Sequence, residues 1–87
     1  MAPKVKIRGH RFAPGVSFEV DYPVVRFFDE DFMGPDAVAA EYDLNRCTSR
    51  CDQKYLFTET YNPEIKTLRL SLFCSDDLIG ELVIMGV

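Results

Sequence analysis

The chain has one histidine and three cysteines, the residue types from which nucleophilic or metal-ion chemistry is most often built. A tetrahedral zinc site needs four ligands in closely spaced pairs, and His10 is far from every cysteine in the sequence. Cys47 and Cys51 lie four residues apart, so an extended strand would hold their Cα atoms about 13 Å apart, beyond the ~7 Å limit for a disulfide. A turn would bring them closer, but an odd cysteine count without a secretory signal favours reduced thiols. We therefore expect neither a bound metal nor a disulfide.

Catalytic motifs are absent from the sequence. It contains no nucleophile elbow and no glycine-rich phosphate loop, and its scattered carboxylates do not form an acid–base pair. Spacing alone leaves open a nucleophilic pair between His10 and one of the cysteines, Cys47, Cys51 or Cys74, because such partners meet only in the fold. We expect a protein that is not an enzyme and carries no cofactor.

A row of basic residues opens the chain and alternates with apolar ones. Its members are Lys4, Lys6, Arg8 and His10. On one face of a strand they would stand about 6 to 7 Å apart, which suits anionic lipid headgroups or an acidic partner peptide. The simpler interpretation is that charges on an edge strand discourage aggregation.

An acidic cluster, Asp29, Glu30 and Asp31, directly follows Phe28. Acidic and aromatic groups together suit a basic partner segment, although a solvated loop beside core aromatics has the same composition. Contact between this cluster and the basic row of a second copy would give head-to-tail self-association.

Short segments of alternating hydrophobicity predict strands throughout the chain. They cover residues 4–8, 16–22, 24–28, 53–58, 67–74 and 79–84. The first two are expected to pair across the Pro14-Gly15 turn, and residues 45–52 are predicted to be a connection. Residues 36–45 are ambiguous, because helix-forming residues follow a plausible cap while Val38, Ala40, Tyr42 and Leu44 alternate as in a strand. We favour the strand and hence an all-β fold, a small antiparallel β-sandwich of about six to seven strands.

Composition limits the class of protein. With 47% hydrophobic residues the chain should fold, and residues 1–87 are expected to form one domain. The abrupt apolar C-terminus suggests that this is the N-terminal domain of a longer protein. A net charge of −4 argues against nucleic-acid binding. Without a signal peptide or an apolar run long enough to span a membrane, we expect a soluble protein of the cytoplasm.

The second half of the chain has a recognisable order of segments. A strand at 53–57 leads to Tyr-Asn-Pro-Glu at 61–64, a leucine-alternating strand at 67–73 and Asp-Asp-Leu-Ile-Gly-Glu at 76–81. This order resembles the C-terminal half of a C2 domain, and residues 5–7 and 21–26 resemble its opening strand and its Asp-Pro-Tyr-Val segment. Family members are longer, so the chain would lack about one strand and leave a sheet edge open to another chain.

The resemblance implies calcium-binding loops, but few of their aspartates have counterparts here. Asp21, Asp76 and Asp77 are the weak calcium candidates, whereas Cys74 and Ser75 stand near positions where early aspartates would be. We therefore expect a degenerate, calcium-independent C2-like domain. The alternative is an α+β ubiquitin-like β-grasp domain, which fits the length but requires a helix over residues 36–45.

These observations predict a non-enzymatic protein–protein interaction or scaffold module that helps anchor or assemble a larger intracellular complex. The partner would be another protein or a second copy, bound through an exposed sheet edge. The alternative is a peripheral membrane module that binds anionic phospholipid, with or without calcium, so attachment to the cytoskeleton or a membrane stays open.

Overall fold

A computed structural model of the protein describes residues 5–34 and 37–86. These residues form eight strands connected by turns. The strands are β1 (Lys6–Phe12), β2 (Val16–Asp21), β3 (Val24–Asp29), β4 (Val38–Asp43), β5 (Thr48–Cys51), β6 (Tyr55–Asn62), β7 (Thr67–Cys74) and β8 (Asp77–Met85).

The strands form two four-stranded antiparallel sheets. The first sheet has the order β1-β8-β7-β6 and the second has the order β2-β3-β4-β5. Each sheet is mainly a meander, because neighbouring strands follow one another in sequence except where β1 joins β8. The predicted all-β fold is confirmed, with eight strands where the sequence predicted six to seven. The described residues contain no helix, and hence none that could cross a membrane.

The ambiguous stretch at residues 36–45 contains β4, so its described part is a strand, as predicted. The described residues of this stretch contain no helix of the kind that a β-grasp fold requires, which contradicts the α+β alternative. Val38 to Asp43 form a strand because Ala40 and Tyr42 alternate onto the buried face beside Phe27 and Val25 of β3.

The strand missing from our prediction is β5, which lies within the predicted connection 45–52. Its residues Thr48, Ser49 and Arg50 are exposed and polar, so they give no hydrophobic alternation. Pairing with β4 holds them in the sheet, since Tyr42 lies opposite Ser49 and Ala40 opposite Cys51. Tertiary pairing here overrides a weak local signal.

The expected pairing of the first two strands is also wrong. β1 pairs with β8 in the first sheet, and β2 pairs with β3 in the second. The Pro14-Gly15 turn forms as predicted, with the Val16 amide donating to the Ala13 carbonyl at 3.1 Å, but it carries the chain from one sheet to the other. Gly15 has φ +84°, which a type II turn with proline at its second position requires.

The core lies between the two sheets and receives side chains from both. The second sheet and its turns contribute Val25, Phe27, Ala39, Ala40, Tyr42 and Leu44, and the first contributes Tyr55, Leu68, Leu70, Leu72, Leu82 and Ile84. The predicted leucine-alternating strand is confirmed as β7. The leucines of β7 alternate strictly and all face the core, so a register shift of one residue would expose every one of them. This strict pattern is why the sequence predicts the strand clearly.

Candidate functional site

Three residues of the basic row, Lys6, Arg8 and His10, lie on β1, but they do not occupy one face of that strand. In the pairing with β8, Ile7 lies opposite Ile84 and Gly9 lies opposite Val83, which leaves Arg8 as an extra residue in a β-bulge. A bulge shifts the alternation of side chains by one position for the rest of the strand.

The shift separates the predicted row. Lys6 lies opposite the half-buried Met85, whereas His10 lies opposite Leu82, which is fully buried between the sheets. Directly opposed residues share a face, so Lys6 and His10 belong to opposite faces of the first sheet. The prediction that these residues project from one face is therefore wrong for His10, and Lys4 lies outside the described residues.

Instead, the His10 ring joins an aromatic group at the edge of the sandwich. It stacks on Phe12 with ring centroids 5.9 Å apart and lies 5.3 Å from Phe18 of β2. Phe12 and Phe18 stack at 5.2 Å across the two sheets. These three rings lie between β1 and β2, which are at the same side of the two sheets but do not pair.

The rings form the floor of an open groove of about 520 Å³ between the two edge strands, here called the β1–β2 groove. It is lined by His10, Arg11, Phe12, Val16, Ser17 and Phe18. Backbone edges border it on both sides, because β1 is bonded only to β8 and β2 only to β3. The groove therefore offers aromatic contact area beside unpaired strand edges.

Gly80 determines where the Phe12 ring lies. The two residues are directly opposed in β1 and β8, and a Cβ atom at Gly80 would stand 2.5 Å from Phe12 Cδ1. The ring thus covers the backbone of the glycine, as aromatic residues do when they shield a strand glycine. The residue that approaches Gly80 closely is therefore Phe12.

The positive charge on β1 is not neutralised by other described residues. Lys6, Arg8 and Arg11 are exposed, and within the described part of the chain none of the three has an ion pair or a side-chain hydrogen bond. Glu81 lies opposite Arg11 but does not form a salt bridge with it.

The arginines of the second sheet differ, because acidic residues neutralise them. Arg26 lies 3.3 Å from Asp21 and 3.6 Å from Glu41, and Glu41 also lies 3.6 Å from Arg50. Glu19 extends this row at 3.8 Å from Arg26. The outer face of the second sheet therefore presents paired charges, whereas the three cations of β1 are unpaired among the described residues.

The acidic cluster is only partly a surface feature. Asp29 ends β3 and is buried, with the Tyr55 hydroxyl donating to Oδ2 at 2.9 Å and the Asp31 amide donating to Oδ1 at 3.1 Å. Asp29 is therefore less accessible to a partner than the other two members of the cluster. Glu30 and Asp31 are exposed, and Phe28 is half-buried. Whether they contact a partner stays a prediction.

Two tyrosines at the sheet interface donate to carboxylates, Tyr55 to Asp29 and Tyr42 to Glu59. Burial, reinforced by the neighbouring carboxylate, raises the pKa of both phenols well above the ordinary tyrosine range. Burial also raises the pKa of the Cys51 thiol, although a backbone hydrogen bond from Phe57 opposes the change.

The structure does not bring the weak calcium candidates together. Asp21 ends β2 and pairs with Arg26, whereas Asp76 and Asp77 lie at the turn between β7 and β8. Asp21 lies opposite Val24, at the far end of β3 from Asp29, and the β7–β8 turn lies at the Asp29 end of the molecule. Across the described ranges no group of three or more His, Cys, Asp or Glu is arranged to hold a metal ion.

His10 lies in a different region from Cys47 and Cys51. His10 contacts Phe12 and Phe18, and no cysteine lines its groove. Cys47 follows β4 and Cys51 ends β5, at the opposite side of the sandwich from β1. The described residues therefore supply no Cys–His pair around the His10 ring.

The comparisons with known proteins give no match. No family model matches the chain, and no curated protein or solved structure is significantly similar to it.

Our sequence analysis missed Arg11, Phe12 and Phe18 as members of a site. Arg11-Phe12 follows His10 directly, and Phe18 belongs to the alternating strand that we predicted. The aromatic and basic character of these residues can be read from the sequence, but the groove forms only because β1 and β2 lie in different sheets. Because the two alternating segments were predicted to pair as a hairpin, the prediction left no groove between β1 and β2.

Proposed function

We propose that this domain is a non-enzymatic interaction module that binds an acidic, extended segment of a protein partner in the β1–β2 groove. The observation that carries the proposal is the combination, on β1, of a free backbone edge with three cations that no described residue neutralises. Such a module would anchor or assemble a larger intracellular complex.

The free edge supports a binding mode in which the partner adds a strand. An extended segment pairs its backbone with an edge strand and places alternate side chains on the surface beside it. Residues 9–12 of β1 pair with β8 without interruption beyond the Arg8 bulge. An apolar side chain of the segment would then contact the Phe12 and Phe18 rings at the groove floor.

The cations select the partner's charge. Acidic side chains on the added strand would be attracted by Lys6, Arg8 and Arg11. A segment without acidic side chains would therefore bind more weakly. The same cations oppose pairing between two copies through β1, because like charges would face one another. An acidic segment of a different protein is thus favoured over self-association.

The membrane alternative receives less support from the arrangement of the charges. Lipid binding through the whole basic row would need one flat face, whereas the bulge directs Lys6 and His10 to opposite faces. The comparison with C2 domains remains a prediction. Two four-stranded sheets are compatible with it, while the meander order of the strands gives it no specific support.

The experiment is a fluorescence anisotropy titration with a labelled peptide in which glutamate alternates with valine. The double substitution Arg8→Glu with Arg11→Glu should weaken binding by about tenfold or more, because attraction becomes repulsion. Lys66→Glu is the matched control, since it changes an exposed cation in the turn between β6 and β7 and should leave the affinity unchanged.

Two results would overturn the proposal. One is peptide affinity that the double substitution does not change. The other is that the protein does not bind the peptide but does bind vesicles of phosphatidylcholine and phosphatidylserine, and that the double substitution abolishes this vesicle binding. The second result would replace the protein partner with an anionic membrane.

A further inference from the structure

A second open space lies at the opposite side of the sandwich from the β1–β2 groove. It is a cavity of about 480 Å³, here called the β4–β6 cavity, lined by Tyr42, Leu44, Cys47, Glu59, Tyr61 and Leu68. Small-molecule sites typically measure about 300–1,000 Å³, so this cavity has the size of a ligand site. β6 is the edge strand of the first sheet at this side, and the turn after β4 closes one end.

The cavity is mainly apolar, and Glu59 is the one carboxylate among its lining residues. Leu44 and Leu68 are buried, and Tyr42 adds a buried aromatic ring. Glu59 accepts a hydrogen bond from the Tyr42 hydroxyl, and no lysine or arginine among the described residues forms an ion pair with it. A carboxylate has about four acceptor sites, so one hydroxyl leaves capacity for a ligand.

These properties define the class of ligand. A negative charge beside an apolar, aromatic lining disfavours the binding of anions and favours the binding of an organic cation. The cation would be attracted electrostatically by the carboxylate and by the faces of the tyrosine rings. A primary ammonium has three donors that need acceptors, and beyond Glu59 the lining offers few, because the side chains of Leu44 and Leu68 are apolar. Methyl groups on the nitrogen remove those donors and add apolar surface that matches the leucines.

We propose that the β4–β6 cavity binds a methylated ammonium group, with Glu59 providing the counter-charge and Tyr42 orienting the carboxylate. Two sources carry this group, a choline-type small molecule and a methylated lysine side chain of a protein. The site is independent of the β1–β2 groove, since no residue lines both.

The decisive experiment compares choline with 3,3-dimethylbutanol, its neutral isostere, by NMR titration of the intact chain. The proposal expects choline to bind at least about tenfold more tightly, with shifts concentrated at the lining residues. It also expects choline, and not the isostere, to slow alkylation of the exposed Cys47 thiol. Equal affinity of the two compounds would overturn the proposal, and this comparison needs no variant.

Substitutions then test the role of the carboxylate. Glu59→Gln keeps an oxygen that accepts from the Tyr42 hydroxyl, so the fold should persist while the preference for choline over its isostere disappears. Glu81→Gln is the matched control, because it removes a strand carboxylate from the outer face of the first sheet and should preserve that preference.

Peptides with trimethyllysine or unmodified lysine complete the test. Binding of either choline or the trimethyllysine peptide supports the site, and the tighter of the two identifies the source. Absence of binding by both would overturn the proposal.

Discussion

The Tyr55 hydroxyl on β6 donates a hydrogen bond of 2.9 Å to the Asp29 carboxylate on β3, so a buried polar pair joins the two sheets. Tyr42 on β4 makes the reciprocal contact with Glu59 on β6. Each sheet thus donates one phenol to a carboxylate of the other. Such pairs need particular partners, and they fix how the sheets are stacked more specifically than leucine packing does.

The coupling between Tyr55 and Asp29 is the first prediction. Tyr55→Phe, Asp29→Ala and the double variant should give a coupling energy of about 1.5–3 kcal/mol, because the bond is buried and one partner is charged. Urea unfolding of the four proteins measures it. A coupling energy near zero would mean that the hydrogen bond does not stabilise the sheet interface.

The second prediction concerns alkaline pH. The raised pKa values of Tyr42 and Tyr55 mean that the folded state holds both phenol protons more tightly than the unfolded chain does. Their contribution to stability is complete below the ordinary tyrosine pKa of about 10 and is lost as the pH rises above it. The free energy of unfolding should therefore fall from about pH 10 upward, and less steeply in the Tyr42→Phe, Tyr55→Phe double variant. Equal slopes in the two proteins would contradict this assignment.

The third prediction uses two glycines of the same strand pair. Gly80→Ala should destabilise the domain by about 1–3 kcal/mol, because its methyl group would displace the Phe12 ring. Gly9→Ala is the control, since its Cβ would meet no atom within 4 Å. Thermal unfolding compares them, and the account fails if both variants change stability equally.

The fourth prediction concerns the charged row across the second sheet. Glu41→Ala removes a carboxylate shared by Arg26 and Arg50, and it should cost about 1 kcal/mol or less because the row is partly solvated. The cost should shrink at high salt, where screening weakens such contacts. Glu64→Ala, at an exposed turn position, should change stability little at any salt concentration, and urea unfolding at two salt concentrations measures both effects.

Alternation predicted most of the strands, because burying one face needs only a period of two residues. The leucines of β7 show this most clearly, since Leu68, Leu70 and Leu72 alternate without exception and are all buried. The all-β class, the Pro14-Gly15 turn and the strand within residues 36–45 followed from the same local signals.

Hydrophobic alternation could not predict which strands pair or where a bulge lies. β1 pairs with β8 at the other end of the chain, and one extra residue at Arg8 changes the face on which His10 lies. Alternation reports a period but neither the neighbouring strand nor a break in its register. Asp29 was taken for a loop residue because its hydrogen-bond partner, Tyr55, is distant in sequence.

Hydrogen exchange on β1 tests the proposed groove most directly. With the acidic peptide bound, amides within residues 9–12 should exchange more slowly, and Lys66 in the β6–β7 turn should be unaffected. The protection should vanish in the protein carrying Arg8→Glu and Arg11→Glu. Protection confined to other strands, or protection of β1 that survives this charge reversal, would contradict the account.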